Sequence, residues 1–236
     1  MDTSRTELLV GADGIRKMAD SCIAIYGLGG VGGYAAEAIA RAGVRNMVIV
    51  DHDRVAPSDM NRQILALHST IDAPKVEAAE RRIKDINPAV LVRAYRLRID
   101  PDDIAAAIPA GITHAIDAID DINAKVSLIA ALLERGIRFV SSMGAGSKLD
   151  PAGVMVSDIS TTRHCPLART VRRRLKKLGI VTGVWCVYSE ENLKLFSKID
   201  GMDTGRHIIQ GTVSYMPGIF GLTAAGVIIR DILGMD

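Results

Sequence analysis

A glycine-rich segment lies where an apolar run of strand length meets a segment of helical period. Residues 27–32 read Gly-Leu-Gly-Gly-Val-Gly and follow the apolar residues 23–26 directly. Glycines at a strand-to-helix turn let the backbone approach phosphate groups, and the free N–H groups at the helix start favour negative charge. Asp51 closes the next apolar run, 47–50, at about the 20-residue spacing typical of a carboxylate that binds a ribose. The segment therefore predicts a nucleotide site, and it leaves open whether the nucleotide is a dinucleotide or ATP.

Apolar runs of strand length alternate with helical patterns from residue 21 to about 145. This alternation is typical of a parallel sheet with helices on its faces. The predicted strands are 22–27, 46–51, 90–96, 113–119 and 137–142, and the predicted helices are 30–43, 74–86, 101–108 and 123–135. Gly43 and Gly136 stand where helix C-caps are expected. The pattern predicts an α/β fold with a Rossmann-like, doubly wound, mainly parallel sheet.

The rest of the chain predicts a C-terminal extension of strands and helices. Strands are expected at 154–159 and 181–189, on either side of a basic helix that begins at Pro166. Segment 190–209 is polar with little periodicity, and we expect a mobile loop there. The predicted organisation is a single domain over 1–236, with an N-terminal arm and helix at 1–20, a nucleotide-binding core at 21–150 and the extension at 151–236.

The apolar segment 216–233 could be mistaken for a membrane span. It opens at Pro217, is interrupted by glycines, and carries Arg230 and Asp231 in its last turns. Charged groups are costly inside a bilayer. We therefore predict a buried or interface helix, and no membrane partner.

Composition sets further limits on function. The net charge of +2 is too small to indicate nucleic acid by itself. Cys22, Cys165 and Cys186 form no Cys-x-x-Cys pair, which argues against a zinc knuckle or a disulfide framework and suits a reducing cytoplasm. Residues 1–5 lack the pattern of an export signal. These features predict a cytoplasmic globular protein.

A polar string, residues 51–63, begins at the carboxyl end of the second predicted strand. Ligands of doubly wound sheets bind at this end of the strands. A hydride-transfer enzyme would use Asp51 for its ribose but would have no need of Asn61, Arg62 and Gln63 in succession. Arg62 can hold a phosphate through two parallel hydrogen bonds, and its neighbours can orient the phosphate or the water shell of a metal. The string favours ATP over a nicotinamide cofactor.

Two further charged residues are expected at the same edge of the sheet. Lys75 stands at the start of a predicted helix, and Asp120 follows the fourth predicted strand. A lysine beside a helix N-terminus suits a polyphosphate, and one or two carboxylate oxygens suit Mg²⁺ that bridges phosphates. The alternatives are a solvated lysine for Lys75 and an N-cap of helix 123–135 for Asp120. We predict Asp120 as the magnesium ligand.

The motifs together resemble the adenylating superfamily of ubiquitin-activating enzymes and bacterial activators of sulfur-carrier proteins. The order is Gly-x-Gly-Gly-x-Gly, Asp-x-Asp, Asn-Arg-Gln, Pro-Lys-Val and Asp-Ala-Ile-Asp within the first 145 residues. The resemblance implies that ATP and Mg²⁺ convert a carboxylate into an acyl adenylate. It implies nucleotide contacts from Gly27, Gly29, Gly30, Asp51 and Asp53, phosphate contacts from Asn61, Arg62, Gln63 and Lys75, a metal ligand in Asp120, and an Arg5 that reaches into the ATP site of the other subunit of a homodimer.

Further segments resemble one family of this superfamily, the tRNA threonylcarbamoyladenosine dehydratases. They are 66–70, 82–88, 141–151, 158–160 and 165–169. The resemblance implies a tRNA that bears threonylcarbamoyladenosine as substrate. Adenylation of its threonyl carboxylate lets the neighbouring carbamoyl group close a ring, with net loss of water.

The chain departs from the superfamily pattern at two places. Asp59 stands where Asn is usual, and Asp72-Ala73 stands where Gly-Lys is common. One cation near the phosphates is missing and one anion is gained. The phosphate contacts should therefore depend more strongly on Lys75 and Arg62.

The pattern of segment 166–179 predicts a helix whose polar face carries charged side chains of positive sign only. Its apolar positions are Leu167, Val171, Leu175 and Leu178, and its basic positions include Arg169, Arg172, Arg173, Lys176 and Lys177. Such a face suits the phosphate backbone of RNA, although most basic runs are solvated surfaces. Aromatic residues make up 4% of the chain, which favours recognition by shape and phosphate over base stacking. Cys165, just before this helix, is expected to be structural.

Three functions are consistent with parts of the sequence. The first is ATP-dependent cyclisation of a modified adenosine in tRNA. The second is activation of a sulfur-carrier or ubiquitin-like protein, with a sulfur-transfer protein as partner; the missing Cys-x-x-Cys pairs and the basic helix count against it. The third is a nicotinamide-dependent oxidoreductase, which leaves Arg62, Lys75 and Asp120 without a role.

Overall fold

The computed structural model describes residues 1–191 and 211–235 and contains a seven-stranded sheet. The strands are β1 (Cys22–Tyr26), β2 (Asn46–Asp51), β3 (Leu91–Arg96), β4 (His114–Asp117), β5 (Arg138–Ser142), β6 (Val154–Asp158) and β7 (Trp185–Ser189). The helices are α1 (Ser4–Asp20), α2 (Gly32–Arg41), α3 (Lys75–Ile86), α4 (Ile104–Ala107), α5 (Ile122–Glu134), α6 (Pro166–Lys177) and α7 (Met216–Leu233).

The strand order is β3-β2-β1-β4-β5-β7-β6. All neighbouring strands are parallel except β6, which pairs antiparallel with β7 at the edge. The chain winds outward from β1 in both directions, first to β2 and β3 and later to β4 and β5. Ligands of doubly wound sheets bind at this reversal, beyond the carboxyl ends of the strands. The predicted α/β fold with a mainly parallel sheet is confirmed.

Alternate residues of the central strand face opposite layers of helices. Cys22, Ala24 and Tyr26 pack with α5 and α6, whereas Ile23 and Ile25 pack with α2, α3 and α7. Because helices cover both faces, every residue of β1 is buried. This explains the continuous apolar run in the sequence.

Several element boundaries differ from those predicted. Helix 101–108 is a 3-10 turn, Pro101–Asp103, followed by the single turn α4, and the Asp100 side chain caps the turn by accepting the Asp102 N–H. Strand 181–189 begins only at Trp185, because the Asp158 carboxylate takes the N–H groups of residues 183 and 184. Of the loop predicted at 190–209, all but the first two positions lie outside the described residues.

Helix α7 is long and apolar enough to cross a membrane by length and composition alone. Its Phe220 and Ala224 are nevertheless buried in the layer that contains α2. A Cβ at Gly221 would lie 2.2 Å from the Val31 carbonyl oxygen, so this glycine lets the two helices touch backbone to backbone. The opposite side is less covered, since Leu222 is 52% exposed.

Candidate active site

A cleft of about 900 Å³ opens at the carboxyl ends of β1, β2, β4 and β5. This size lies in the range of small-molecule sites. Eight of the predicted site residues line it, namely Gly27, Gly29, Gly30, Asp51, Asp53, Arg62, Gln63 and Asp120. Asn61, Lys75 and Arg5 do not line it.

The glycines of the turn after β1 serve two different needs. Gly27 has a φ of +85°, and a Cβ there would lie 2.7 Å from the Ala118 carbonyl oxygen. A Cβ at Gly32 would lie 1.7 Å from the Gly27 carbonyl oxygen, so both glycines are required by the fold. At Gly29 the nearest atom, Nε2 of Gln63, is 3.8 Å away. The missing side chain at Gly29 therefore leaves open space in the cleft, as a bound phosphate would require.

The Asp51 carboxylate fixes the shape of this turn. One oxygen accepts the Leu28 N–H at 2.6 Å, and the other accepts the Asp53 N–H at 2.8 Å. Each carboxylate oxygen can accept a second hydrogen bond. Asp51, which is 9% exposed, can therefore hold the turn and still accept a ribose hydroxyl.

Asp51, His52 and Asp53 also place three ligand atoms within 4.8 Å of one another. Both oxygens of Asp51 already accept backbone N–H groups. Asp53 pairs with His52 at 3.2 Å and with Lys75 at 3.0 Å. These partners occupy the group, so we assign no metal to it.

Lys75 lies beneath the cleft wall. Its side chain is 7% exposed, and Nζ lies 3.0 Å from Oδ2 of Asp53 and 3.9 Å from Oδ2 of Asp59. The alternative of a solvated lysine at a helix start is therefore wrong. The expected contact with phosphate requires Lys75 to leave, or to share, its carboxylate partners.

The polar string is gathered at the cleft, but its side chains bond to one another. Nη1 of Arg62 donates to the Ser58 carbonyl oxygen at 2.8 Å and to Oδ1 of Asn61 at 2.9 Å. Nε2 of Gln63 donates to Oδ1 of Asp59 at 2.7 Å. Within the described part of the chain, Oε1 of Gln63 is buried with no hydrogen-bond partner.

Asn61 is exposed beside the cleft without lining it. Its Nδ2 donates to the Thr212 carbonyl oxygen at 3.0 Å, beyond residues 192–210 in the chain. This contact ties the polar string to the segment that leads into α7.

The carboxylates after β4 have separate roles. Asp121 is the N-cap of α5, since its Oδ1 accepts the Ala124 N–H at 2.9 Å. The alternative prediction, that Asp120 is the N-cap of this helix, is therefore wrong. Asp120 is exposed at the cleft, and among residues 1–191 and 211–235 it has no hydrogen-bond or ion-pair partner. An accessible carboxylate of this kind fits the oxygen-rich coordination of Mg²⁺.

A buried polar network beneath the cleft was not predicted. Nζ of Lys125 donates to Oδ2 of Asp117 at 2.8 Å, and the Ser141 hydroxyl donates to the same oxygen at 2.6 Å. Lys125 also donates to the Ser142 carbonyl oxygen at 3.0 Å. The network joins the ends of β4 and β5 to α5. The available signal was an isolated lysine within the apolar face of α5.

The loop after β5 forms a further wall that the sequence did not assign. Lys148 lines the cleft while only 7% exposed, and it donates to the Glu191 carbonyl oxygen. The Glu191 carboxylate accepts the N–H groups of Asp150 and Leu149, which hold its pKa below the usual range. The glycines around residues 144–146 were a usable signal for a backbone near a ligand.

Cys165 lies on the cleft wall at the start of α6. It is 5% exposed, and its Sγ accepts the Ala168 N–H at 3.5 Å as the helix N-cap. This geometry is compatible with the structural role expected for it. Burial raises the pKa of the Cys186 thiol well above its usual range, which makes that thiol inert.

The basic face of α6 differs from the prediction at two positions. Nη1 of Arg172 donates to the carbonyl oxygens of Ile159 at 3.0 Å and Thr162 at 2.9 Å, so this guanidinium braces the preceding turn instead of facing solvent. Leu178, placed on the apolar face, is 58% exposed because the helix ends at Lys177. The basic residues that remain exposed are Arg169, Arg173, Lys176 and Lys177.

The chain is similar to known proteins over nearly its whole length. The ThiF family model matches residues 3–236. The tRNA threonylcarbamoyladenosine dehydratase of Bacillus subtilis is 36% identical over 98% of the chain and 94% of that protein. The crystal structure of the Escherichia coli tRNA N6-threonylcarbamoyladenosine dehydratase, TcdA, in complex with ATP is 33% identical, with a TM-score of 0.87 over 98% of the chain and 93% of TcdA. Its complex with AMP gives a TM-score of 0.88 over the same shares. The chain belongs to the ThiF family, and within it to the tRNA threonylcarbamoyladenosine dehydratases.

Proposed function

We propose that this protein uses ATP to cyclise threonylcarbamoyladenosine in tRNA by adenylating its threonyl carboxylate. The observation that carries the proposal is the cleft at the switch of strand order, where the open space at Gly29 faces the same volume as Arg62 and the exposed Asp120. The similarity to TcdA, which binds ATP, supports this assignment.

The turn after β1 would hold the nucleotide. The open position at Gly29 lets phosphate oxygens approach the backbone, and α2 directs its N-terminus towards them. Asp51, already oriented by two backbone N–H groups, would accept a ribose hydroxyl. Both contacts use groups that are in place before the nucleotide arrives, which lowers the entropic cost of binding.

The polar string would hold the phosphates. Arg62 stabilises negative charge that develops on the phosphate groups, with Asn61, Gln63 and Lys75 beside it. Asp120 would hold Mg²⁺, which when bound neutralises phosphate oxygens and favours departure of pyrophosphate.

The chemistry follows from these positions. An oxygen of the threonyl carboxylate attacks the α-phosphorus of ATP, and pyrophosphate leaves with the electron pair of the broken P–O bond. The carbamoyl group then attacks the activated carbonyl carbon, loses a proton and expels AMP. One oxygen of the original carboxylate leaves with AMP, so the RNA loses the elements of water.

The exposed part of the α6 basic face would contact the RNA backbone. Arg169, Arg173 and Lys176 follow directly from the cleft wall at Pro166. A phosphate contact from each would contribute affinity by counterion release.

Release of pyrophosphate tests the proposed function. Pyrophosphate would be measured with tRNA that bears threonylcarbamoyladenosine, with tRNA that lacks this group, with a sulfur-carrier protein, and with no acceptor. We expect stimulation by the modified tRNA alone. Stimulation by the carrier protein in place of tRNA would overturn the proposal.

Arg62→Ala is the matching variant, since this side chain is proposed to act on developing phosphate charge. Turnover should fall by about a hundredfold or more, while the free energy of unfolding should change little. Arg81→Ala, an exposed arginine on α3, is the control and should keep its activity.

We also infer a homodimer in which Arg5 completes the site of the partner subunit. Arg5 is exposed and lies outside the cleft of its own subunit, on a helix whose Leu8 and Leu9 are 89% and 82% exposed. Helix α1 breaks at Gly11, where φ is +72°, and this break sets its exposed first half at an angle to the rest.

Subunit mixing tests this arrangement. Arg5→Ala and Arg62→Ala homodimers should each be inactive. If Arg5 acts across the interface, a mixed dimer has one intact site, formed by Arg62 of one subunit and Arg5 of the other, so mixing should restore activity. No recovery after verified exchange of subunits would contradict the inference.

A further inference from the structure

We propose that Asp59 is an internal counter-ion that competes with ATP for the cations of the phosphate site and so weakens ATP binding in this protein. This inference rests on the proposed function, because it assumes that ATP phosphates meet Arg62 and Lys75. It concerns a position at which the sequence departs from the superfamily pattern.

Asp59 lies at the centre of the polar string and is 6% exposed. Oδ1 accepts from Nε2 of Gln63 at 2.7 Å and lies 3.4 Å from Nη2 of Arg62. Oδ2 accepts the Ala56 N–H at 3.1 Å and lies 3.9 Å from Nζ of Lys75. One carboxylate thus contacts three of the four side chains expected to contact phosphate, namely Arg62, Gln63 and Lys75.

The charges of this group cancel. Asp53 and Asp59 carry two negative charges, and Arg62 and Lys75 carry two positive charges, so the sum is zero. ATP is a polyanion and gains little from a neutral cluster. It must either draw Arg62 and Lys75 away from their carboxylates or share them, and each carboxylate that stays nearby repels the phosphates.

Burial makes this competition effective. The side chains of Lys75 and Asp59 are 7% and 9% exposed, so water screens their interaction much less than it screens a surface pair. The side chain of Arg62 is 30% exposed and can move into the cleft more readily. We therefore expect Arg62 to exchange its partners first when the nucleotide binds.

The side-chain amide of Gln63 offers a hydrogen-bond acceptor to a neutral residue at position 59. Oε1 of Gln63 is buried with no partner in the described part of the chain. In Asp59→Asn, a flip of the Gln63 amide would let Oε1 accept from the new Nδ2. The Asn side-chain oxygen can still accept the Ala56 N–H. The substitution therefore removes the charge and keeps the hydrogen bonds with Gln63 and Ala56, whereas the contact from Nη2 of Arg62 is lost.

The experiment measures the dissociation constants of ATP, AMP and adenosine by calorimetry, with Mg²⁺ present, on the full chain. Asp59→Asn should bind ATP about tenfold more tightly than the wild type, because one repulsive charge near the phosphates is removed. AMP should gain less, and adenosine should not change. The gain in affinity should therefore increase with the negative charge of the ligand, and a merely structural effect of the substitution would not produce this dependence.

Asp85→Asn is the matched control, since it removes the same charge from the exposed face of α3 and should leave all three constants unchanged. Asp59→Ser, which is neutral and keeps an acceptor for Ala56, serves if the Asn variant does not fold. Equal or weaker ATP binding by the neutral variant, or an equal gain for adenosine, would overturn the inference. If the wild type itself does not bind ATP, the proposed function fails first.

Discussion

The ammonium group of Lys125 donates to the Asp117 carboxylate at 2.8 Å, and neither side chain is exposed to solvent. A buried ion pair repays the cost of removing its charges from water only when further hydrogen bonds satisfy both groups. Here the Ser141 hydroxyl and the Ser142 carbonyl oxygen do so. The pair thereby fastens α5 to the strand ends that border the cleft.

Removal of one partner should be costly. Lys125→Met leaves the Asp117 charge buried without compensation and should lower the free energy of unfolding by about 3–5 kcal/mol. The double variant Lys125→Met/Asp117→Asn should recover a large part of this loss, because no charge then remains. Urea unfolding measures both. Lys84→Met, which breaks an exposed pair with Glu80, is the control and should change stability by about 0.5 kcal/mol or less. A Lys125→Met loss as small as that of the control would contradict the account.

The two kinds of glycine in the turn after β1 should be separable. Gly32→Ala places a Cβ 1.7 Å from the Gly27 carbonyl oxygen, so it should destabilise the fold by about 3 kcal/mol or more. Gly29→Ala meets no atom closer than 3.8 Å, so stability should hold while ATP affinity falls by about tenfold, because the Cβ occupies the space that we propose for a phosphate group. Thermal unfolding and nucleotide titration distinguish the two. Normal ATP binding by Gly29→Ala would show that this space is not used.

The fold was accessible from sequence because its signals are local. Buried parallel strands give continuous apolar runs, and the glycine turn with Asp51 fixes the first two strands and the helix between them. The position of α7 was not accessible. Its packing on α2 depends on Gly221 meeting the Val31 carbonyl oxygen, an approach between residues far apart in the chain.

The site was only partly accessible, for a related reason. The order of the predicted strands placed Asp51, Arg62 and Asp120 at one edge of the sheet, and all three line the cleft. The sequence could not show which charged side chains form ion pairs with one another. The pairing of Lys75 with Asp53 and the bracing of the turn by Arg172 are set by side-chain geometry. Lys148 was missed because nothing near it in sequence shows that it is buried.

His114 should make stability depend on pH. Burial disfavours its charged form, and this outweighs the nearby Asp231 carboxylate, so the pKa of His114 lies below its ordinary 6.5. Arg138, which also pairs with Asp231, adds to the effect. As pH falls through 6.5, the unfolded chain binds a proton that the folded chain does not. His114 therefore does not lower the free energy of unfolding above pH 6.5, and it lowers this free energy progressively as pH falls from 6.5 through the pKa of the folded state.

The measurement is the free energy of unfolding on either side of that pKa. The wild type should lose more stability on acidification than His114→Gln, which cannot take up the proton. His68→Gln, which changes an exposed histidine, should keep the slope of the wild type. If His114→Gln kept that slope as well, another group would have to be responsible.

The basic residues of α6 should divide into two classes. Arg173→Gln/Lys176→Gln removes exposed charges, so it should weaken tRNA binding and reduce the slope of log K against log salt by about 0.9 for each phosphate that is no longer neutralised. Arg172→Gln should instead lower the free energy of unfolding by about 1–3 kcal/mol, because the carbonyl oxygens of Ile159 and Thr162 lose their donor. Filter binding over a range of salt concentrations and urea unfolding measure the two effects. The control Arg81→Gln/Lys84→Gln removes two exposed charges from α3 and should leave the salt dependence unchanged. An equal decrease of the slope in the α3 control would mean that tRNA responds to overall charge and not to the α6 face.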